Sequence, residues 1–413
     1  MRHDRMRGRV DAPTRGLNPS PMSVPTSSSP PASPGHGSVE KPPVTYIYRW
    51  DLDKTYLQTD FDSVLALLRT AVERATDKRN VPGASTLLRE LRRSAVTPGE
   101  TARVCFISGS PRQMRRVLME KLRLDGVEAD EFILKPNLRN LLTGRFRALR
   151  EQVGYKLPAL LAGRAGVAPW AREMCFGDDA ESDAFIYSLY GDLLRGGVTR
   201  RQLEDVLERA GTYPDDAART VGLYESVVAR QQEFPAPAVV AAARRDHAVR
   251  EDDVVARIFI HLDRKSAPAR FDRYGPRLVP IYNYFQAALV LHQDGRLAAD
   301  AVVRVAVEMV DRHAYSLDAL RNSLQDLIRR GRLEQESVRR LGAAIADGQG
   351  EADLLPALGS LPGTRDLLRS LARSLRDLGP ETGGPGSSLG ATWPASIDYV
   401  KALEEDLPRH RSR

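Results

Sequence analysis

The sequence predicts an α/β protein in which helices cover both faces of a parallel β-sheet. Residues 44–192 alternate short runs of β-branched, aromatic and aliphatic residues with longer segments of helical periodicity. This alternation is typical of parallel strands joined by crossover helices. The composition agrees, because Ala, Leu and Arg are abundant and aromatic residues make up only 6% of the 413, which favours helices.

Each predicted strand is an apolar run that stops at polar residues. The first is "TYIYRWD", the second contains "VCFIS", and the fifth, "ARIFIHLDR", follows a long helical segment. The five predicted strands span 45–51, 103–108, 131–134, 173–177 and 256–264. The carboxyl ends of parallel strands meet at one edge of a sheet, where ligands bind, so the polar residues at these ends are expected to lie close together.

The segments between the strands have helical patterns. "FDSVLALLRTAVERAT" and "ASTLLRELRR" are two of them, and Pro82-Gly83 supplies a turn before the second. The predicted helices span 61–76, 84–93, 111–122 and 156–163. Helices on both faces of the sheet give a Rossmann-like three-layer arrangement.

The chain divides into regions of different composition. Residues 1–43 are rich in Pro, Ser and Arg, and we expect a disordered basic tail, because they cannot bury enough apolar surface to offset the entropy of ordering. The core is expected at 44–264, with a charged helical insertion at 193–255. A helical C-terminal region is predicted at 265–377, and Gly and Pro accumulate in a tail at 378–413 that we expect to be loose.

The charge and the apolar runs bear on partners and location. The formal net charge is +7 and the pI is about 9.4, which suits anionic partners such as phosphate esters and acidic lipid surfaces. An arginine-rich proteome explains the charge equally well. No apolar run approaches the ~18–20 residues of a membrane span, and no apolar segment follows the basic N-terminus as in a signal peptide. We therefore expect a cytoplasmic protein that contacts an anionic membrane at most peripherally.

Acidic, hydroxyl and ammonium side chains follow the predicted strands or begin a helix beside them. They are, in chain order, Asp51, Asp53, Ser108, Lys156, Asp178, Asp179 and Asp183. Phosphoryl transfer needs such a set, because a carboxylate can attack phosphorus and a hard cation such as Mg²⁺ brings the anionic reactants together. An ammonium and a hydroxyl stabilise the phosphoryl oxygens. A second acid can protonate the leaving group and then activate water.

Four motifs from this set resemble those of the haloacid-dehalogenase-like (HAD) superfamily. They read "WDLDKT", "VCFIS", "YK" and "FGDDAESD", in the order of that superfamily. The resemblance covers residues 44–192 and the strand at 257–262. It implies a HAD-like fold with a minimal cap, a Mg²⁺ cofactor and an aspartyl-phosphate intermediate.

A narrower resemblance is to the catalytic domain of the actin-patch-associated phosphatidate phosphatases. It rests on "VPGASTLLREL", "FISGSPRQM" and "FGDDAESDAFIYSLY". It implies a lipid phosphate as the substrate, although several departures from the family pattern leave another bulky phosphate monoester open. These departures are Lys54, Gly109, Asp179, Glu181 and the segment 193–255.

The resemblance implies a role for each matching residue at the first three motifs. Asp51 is expected to be the nucleophile and a Mg²⁺ ligand. Asp53 is expected to be the general acid/base, with its backbone carbonyl also on the metal. Ser108 is expected to hold a phosphoryl oxygen, and Lys156 to neutralise the phosphoryl group and the nucleophile. Lys135 and Arg164 are the competing cations for the place of Lys156.

The fourth motif supplies the remaining metal ligands. Asp178 is expected to bind Mg²⁺ directly, and Asp183 through water or by orienting a ligand. Asp179 is the competitor for either place.

No large cap domain is predicted over the site. Only 52 residues separate Thr55 from Ser108, and 21 separate Lys156 from Asp178, so an open site for bulky phosphate monoesters is expected. One alternative is a catalytically silent HAD-fold scaffold that binds partners through its helical half. Another is a nucleic-acid end phosphatase, although no zinc-finger or RNA-binding signature favours nucleic acid. The sequence does not predict an oligomeric state.

Overall fold

Six parallel strands form the sheet in the computed structural model of the chain. The structure describes residues 44–58, 79–94, 100–135, 149–234, 253–346 and 396–406. The strands are β1 (Val44–Trp50), β2 (Glu100–Pro111), β3 (Glu131–Lys135), β4 (Arg172–Asp178), β5 (Val255–His261) and β6 (Leu278–Ile281). Their order is β3-β2-β1-β4-β5-β6, and each neighbouring pair is parallel. All five strands predicted from the sequence belong to this sheet.

Helices connect and cover the strands throughout the described residues. They are α1 (Ala84–Arg93), α2 (Arg115–Leu124), α3 (Leu149–Ala165), α4 (Asp183–Leu194), α5 (Arg200–Arg209), α6 (Pro214–Glu233), α7 (Tyr284–Gln293), α8 (Ala299–His313), α9 (Leu317–Arg329), α10 (Gln335–Ala346) and α11 (Tyr399–Asp406). Short 3-10 helices lie at Arg112–Met114 and Pro268–Tyr274. None of the helices in the described part of the chain is long and apolar enough to cross a lipid bilayer.

The helices pack in two layers, one on each face of the sheet. Alternation along β1 sends Tyr48 and Trp50 to one face and Ile47 to the other. The first face is covered by α1, α2 and α7 to α10, and the second by α3 to α6 together with α11. This confirms the predicted α/β, Rossmann-like three-layer fold with additional helical regions.

The sixth strand was not predicted from the sequence. A helical region was expected at 265–377, whereas Leu278–Ile281 within it pairs with β5 at the edge of the sheet. Four residues that include Pro280 give a weak strand signal, although proline is tolerated in an edge strand. The sheet therefore continues past residue 264, and α7 to α10 pack on its first face. The domain boundaries themselves remain predictions.

A packed helix lies within the C-terminal tail that was expected to be loose. The expectation for 378–413 is wrong for α11, in which Tyr399, Ala402 and Leu403 are buried. Their i, i+3, i+4 spacing places these side chains on one face of the helix. The Tyr399 hydroxyl also donates a hydrogen bond to Asp192 Oδ2 at 2.7 Å.

Some predictions fall on residues outside the described part of the chain. These are the tail at 1–43, the helix at 61–76, the part of the insertion from 235 to 252, and the parts of the two C-terminal regions at 347–395 and 407–413. The described part of that insertion is helical, as predicted, in α5 and α6.

Candidate active site

The candidate site lies at the carboxyl edge of the sheet, between β1 and β4. β2 and β3 extend the sheet on one side of β1, and β4, β5 and β6 extend it on the other side. The strand order therefore reverses between β1 and β4, and the crevice between the ends of two such strands is a binding position for ligands. Asp51 follows β1 directly, and its N–H donates to Phe176 O at 2.9 Å. Asp178 is the last residue of β4. The first and fourth sequence motifs therefore meet at this crevice.

Asp51, Asp178 and Asp183 form a buried carboxylate cluster. One carboxylate oxygen from each lies within 4.8 Å of the other two, and none of the three residues is more than 2% exposed. Oδ2 of Asp51 is buried and has no hydrogen-bond partner among the described residues. Closely spaced carboxylate oxygens suit Mg²⁺, which binds oxygen ligands. The cluster can therefore hold a divalent cation, and Asp51 retains an acceptor for it.

Lys156 places its ammonium group among these carboxylates. Its Nζ atom lies 3.0 Å from Asp51 Oδ1, 2.5 Å from Asp183 Oδ1 and 2.8 Å from Glu181 Oε2. Burial alone would lower the pKa of Lys156, but the attraction of the three carboxylates outweighs it and raises the pKa well above the usual value. Lys156 therefore stays charged and offsets part of the repulsion within the cluster.

Burial also disturbs the titration of the carboxylates. It is the largest cause of the pKa of Asp51 and of Asp178 lying well above the usual value, and repulsion from neighbouring acids adds to it. Lys156 opposes the rise in both. The pKa of Asp183 is raised as well, mainly by burial. Without a metal ion the cluster therefore binds protons more readily than free carboxylates do, and a divalent cation would compete with those protons.

The turn after β4 holds Asp178 and Asp183 in place. Asp178 Oδ1 accepts hydrogen bonds from Ala180 N at 2.6 Å and Glu181 N at 3.0 Å. Asp183 begins α4, and its Oδ2 accepts from Asp178 N at 3.3 Å. Gly177 makes this approach possible, because a Cβ at that position would lie 2.5 Å from Asp183 Cβ. The glycine of the "FGD" motif is thus required for the position of the second acid.

The side chain of Asp53 lies beside two hydroxyl groups. Ser110 Oγ donates to Asp53 Oδ2 at 3.0 Å, and Ser108 Oγ donates to the same atom at 3.4 Å. Ser108 Oγ also accepts from Ser110 N at 2.9 Å. Lys54, between the two acids, has a left-handed φ of 60°, so the chain turns sharply there. The metal contact implied for Asp53 concerns its backbone carbonyl, and it remains a prediction.

The structure distinguishes Lys156 from Lys135 and Arg164, the two other cations that the sequence offered for its place beside the nucleophile. Lys135 is the last residue of β3, two strands away from β1. Arg164 pairs instead with Glu173 at 3.1 Å, near the start of β4 and so at the opposite end of the strands. Lys156 is the cation that contacts Asp51.

Asp179 and Glu181, the two acids between the cluster residues of the fourth motif, have different partners. Asp179 accepts hydrogen bonds from Arg264 N at 2.8 Å and Ser266 N at 3.0 Å, so it anchors the loop after β5. Glu181 contacts Lys156, although the sequence identified it only as a departure from the family pattern. Its position two residues before Asp183 in an acidic turn was the available signal. Ser110, beside Asp53, was missed in the same way.

An aromatic layer supports the site from the first face of the sheet. Trp50 stacks on Phe176 with ring centroids 4.1 Å apart, and the Tyr284 ring lies 5.1 Å from that of Trp50. The Tyr284 hydroxyl donates to Thr55 O at 2.6 Å. Thr55 Oγ1 in turn lies 3.5 Å from Asp178 Oδ2. Thr55 is thus held between Tyr284 and Asp178 in the loop of the first motif.

The fold and the site define an α/β protein in which a buried carboxylate cluster that could hold a metal ion and a buried lysine lie between two strand ends of a parallel sheet. Residues 50–194 match the family model described as phosphatidate phosphatase APP1, catalytic domain. This match confirms the narrower resemblance predicted from the sequence, and the matched segment contains every member of the cluster. No curated protein and no solved structure gives a significant match to the chain.

Proposed function

We propose that the chain is a Mg²⁺-dependent phosphatase of the HAD type that hydrolyses a phosphate monoester. The observation that supports this most is the buried contact of 3.0 Å between Lys156 and Asp51, beside Asp178 and Asp183. The match of residues 50–194 to a phosphatidate phosphatase catalytic domain supports phosphatase activity in general. A purely structural role would leave three buried carboxylates around one ammonium without a benefit, because such groups cost free energy to bury.

The first step of the proposed reaction is attack by Asp51 on phosphorus. A carboxylate oxygen of Asp51 forms a bond to phosphorus while the ester P–O bond breaks, and Asp53 donates its proton to the leaving alcohol. In the second step Asp53 takes a proton from water as the water oxygen attacks the phosphorus of the aspartyl phosphate. Inorganic phosphate leaves and the Asp51 carboxylate is restored. Ser110 orients Asp53 for both proton transfers. Ser108 holds a phosphoryl oxygen, which is the role that the resemblance implies.

The carboxylate cluster and Lys156 have different electrostatic roles in the proposed reaction. Mg²⁺ held by Asp51, Asp178 and Asp183 would offset the repulsion between the nucleophile and the phosphoryl group. Lys156 stabilises the phosphoryl oxygens once one of its carboxylate partners moves away. Glu181 is the partner that we assign to this movement, because its side chain is 14% exposed whereas those of Asp51 and Asp183 are almost fully buried.

The substrate that we propose is a lipid phosphate monoester such as phosphatidate. The family match supports this class. The short spacings predicted to leave no room for a large cap suit a substrate that is presented at a membrane surface. The net charge of +7 also suits peripheral contact with an anionic membrane on the cytoplasmic side.

Release of inorganic phosphate from a substrate panel tests the proposal. The panel contains phosphatidate in mixed micelles, soluble phosphate monoesters and a 5′-phosphorylated oligonucleotide, each with Mg²⁺ and with EDTA. Asp51→Asn removes the nucleophile with little change in shape. Asp179→Asn is the matched control, because Asp179 is a neighbouring acid that bonds to the loop after β5.

Metal-dependent release that is lost in Asp51→Asn and kept in Asp179→Asn would support the proposal, and the preferred panel member would identify the substrate class. Release that is insensitive to EDTA or to Asp51→Asn would refute the mechanism. No release from any member, with folded protein, would favour the catalytically silent scaffold.

A further inference from the structure

A cavity of about 960 Å³ lies among α1, the end of α2 and the end of α8. Its lining includes none of the residues of the carboxylate cluster. Binding sites for small molecules commonly have volumes of roughly 300–1,000 Å³. The cavity is therefore large enough for a ligand and is separate from the proposed active site.

Two buried acceptor atoms in the wall of this cavity have no hydrogen-bond partner. Glu308 is 9% exposed; its Oε1 accepts from Ser85 Oγ at 3.2 Å, whereas its Oε2 has no partner in the described part of the chain. Asn80 donates through Nδ2 to Asp125 Oδ2 at 2.9 Å, and its Oδ1 is buried without a partner among the same residues. Buried acceptors normally accept at least one hydrogen bond. These two atoms are therefore suited to a ligand that carries hydroxyl or ammonium donors.

The same cavity has a surplus of positive side chains. Arg79, Arg89, Lys121 and Arg312 line it, against the acids Asp125 and Glu308. Lys121 pairs with Asp125 at 2.7 Å, and Arg89 donates to the Asp125 carbonyl at 2.6 Å. Arg79 and Arg312 have no carboxylate partner in the described residues and can meet a phosphate group, which arginine binds with two hydrogen bonds.

We infer that this cavity is an accessory site for a small phosphorylated polyol. The phosphate would lie at Arg79 and Arg312, and the hydroxyl groups would donate to Glu308 Oε2 and Asn80 Oδ1. A free phosphorylated polyol and a polyol phosphate head group of a lipid share this chemistry. The inference does not depend on the proposed reaction.

The cavity wall is connected to the loop of the first motif. The Tyr56 hydroxyl donates to Asp125 Oδ2 at 2.5 Å, the same oxygen that Asn80 contacts. Tyr56 N donates to Leu52 O at 3.0 Å, next to Asp53 in the chain. A ligand at Asn80 is therefore connected through Asp125 to Tyr56, which lies three residues after Asp53, the proposed general acid/base.

Calorimetric titration of the full chain in EDTA tests the inference. The probes are glycerol 3-phosphate, inorganic phosphate, and vesicles of phosphatidylglycerol compared with vesicles of phosphatidylcholine. Arg312→Ala removes a phosphate contact, and Glu308→Gln keeps the shape of the side chain while removing its charge. Arg123→Ala is the matched control, since Arg123 is exposed on α2, pairs with Glu120 and does not line the cavity. Asp51→Asn shows whether a probe binds in the cavity or in the proposed active site, because Asp51 does not line the cavity.

The inference predicts that glycerol 3-phosphate, or the phosphatidylglycerol vesicle, binds more tightly than inorganic phosphate or the phosphatidylcholine vesicle. Arg312→Ala should weaken that binding by about tenfold or more, while Arg123→Ala and Asp51→Asn should keep it. Glu308→Gln should reduce the preference for glycerol 3-phosphate over inorganic phosphate by about threefold or more. Binding of the soluble probe would identify a free ligand, and binding of the vesicle alone a lipid head group.

Three results would overturn the inference. One is no binding of any probe at concentrations up to roughly 1 mM. The second is equal binding in wild type and Arg312→Ala. The third is inorganic phosphate binding as tightly as glycerol 3-phosphate, which would leave Glu308 and Asn80 without a role in recognition.

Discussion

Replacing Gly177 by Ala should displace Asp183 from the carboxylate cluster. The added Cβ would lie 2.5 Å from Asp183 Cβ and 2.7 Å from Asp183 Cγ, whereas carbon atoms in contact are about 3.5–4.0 Å apart. The two groups must therefore separate by about 1 Å. Gly177 lies within the fully buried strand β4, so we expect Asp183 and the first turn of α4 to move.

A displacement of this size would break the contacts that hold Asp183. Its Oδ1 lies 2.5 Å from Lys156 Nζ, and its Oδ2 accepts from Asp178 N at 3.3 Å, near the limit of a hydrogen bond. Loss of an orienting contact at a metal site costs about 10- to 100-fold in affinity, and a misplacement of about 1 Å costs on the order of 100-fold in rate. We expect Gly177→Ala to need ~10- to 100-fold more Mg²⁺ and to lose about 100-fold in kcat/KM.

Mg²⁺ titrations of phosphate release, with circular dichroism to monitor folding, measure both effects. Gly222→Ala is the control, because a Cβ at Gly222 in α6 would meet nothing within 4 Å. That variant should keep wild-type kinetics and gain up to about 1 kcal/mol of stability from the higher helix propensity of Ala. If Gly177→Ala folded and kept its Mg²⁺ dependence and rate within about twofold of wild type, the proposal that Asp183 helps to hold Mg²⁺ would be refuted.

The remaining tests concern Lys156, the titration of the cluster and the C-terminal helix. Lys156→Met should lower kcat about 100- to 1,000-fold, because the phosphoryl oxygens lose their cation; steady-state kinetics with an unchanged kcat would contradict this. In EDTA the protein should lose stability as pH rises from the usual carboxyl pKa towards the raised pKa of Asp51 and Asp178, because over that window the folded state holds protons that the unfolded state has released. Mg²⁺ should reduce this slope, which thermal denaturation between about pH 4 and pH 8 measures; identical slopes with and without Mg²⁺ would count against a metal in the cluster. Tyr399→Phe should cost about 1–3 kcal/mol of unfolding free energy by removing the hydrogen bond to Asp192, and an unchanged urea midpoint would contradict the packing of α11.

Local patterns were sufficient to predict most of the sheet. β1, β2, β4 and β5 are apolar runs that end in polar residues, so their existence follows from the sequence alone. β6 has four residues, one of them Pro280, and its strand conformation depends on pairing with β5, which no local pattern reveals. In α11 the apolar spacing was present, but the Gly-rich and Pro-rich residues before it dominated the prediction.

The order of the motifs predicted which strand ends supply the site. Which of the neighbouring acids at those ends belong to the site depends on the directions of their side chains. Asp51 and Asp178 follow from their places at strand ends. The choice between Asp178 and Asp179 depends on how the chain turns after β4, since one points into the cluster and the other bonds to the loop after β5. Glu181 and Ser110 reach their partners through turns whose geometry the spacing does not determine.

In the proposed mechanism, Asp51 carries the phosphoryl group during turnover. The most direct measurement is a single turnover with radiolabelled phosphatidate and Mg²⁺, quenched in acid and followed by peptide mapping. If Asp51 is the nucleophile, a transient label appears on the peptide that contains Asp51; hydroxylamine removes this label, and Asp51→Asn does not acquire it. Full Mg²⁺-dependent turnover with no labelled peptide, or with the label on another residue, would contradict it.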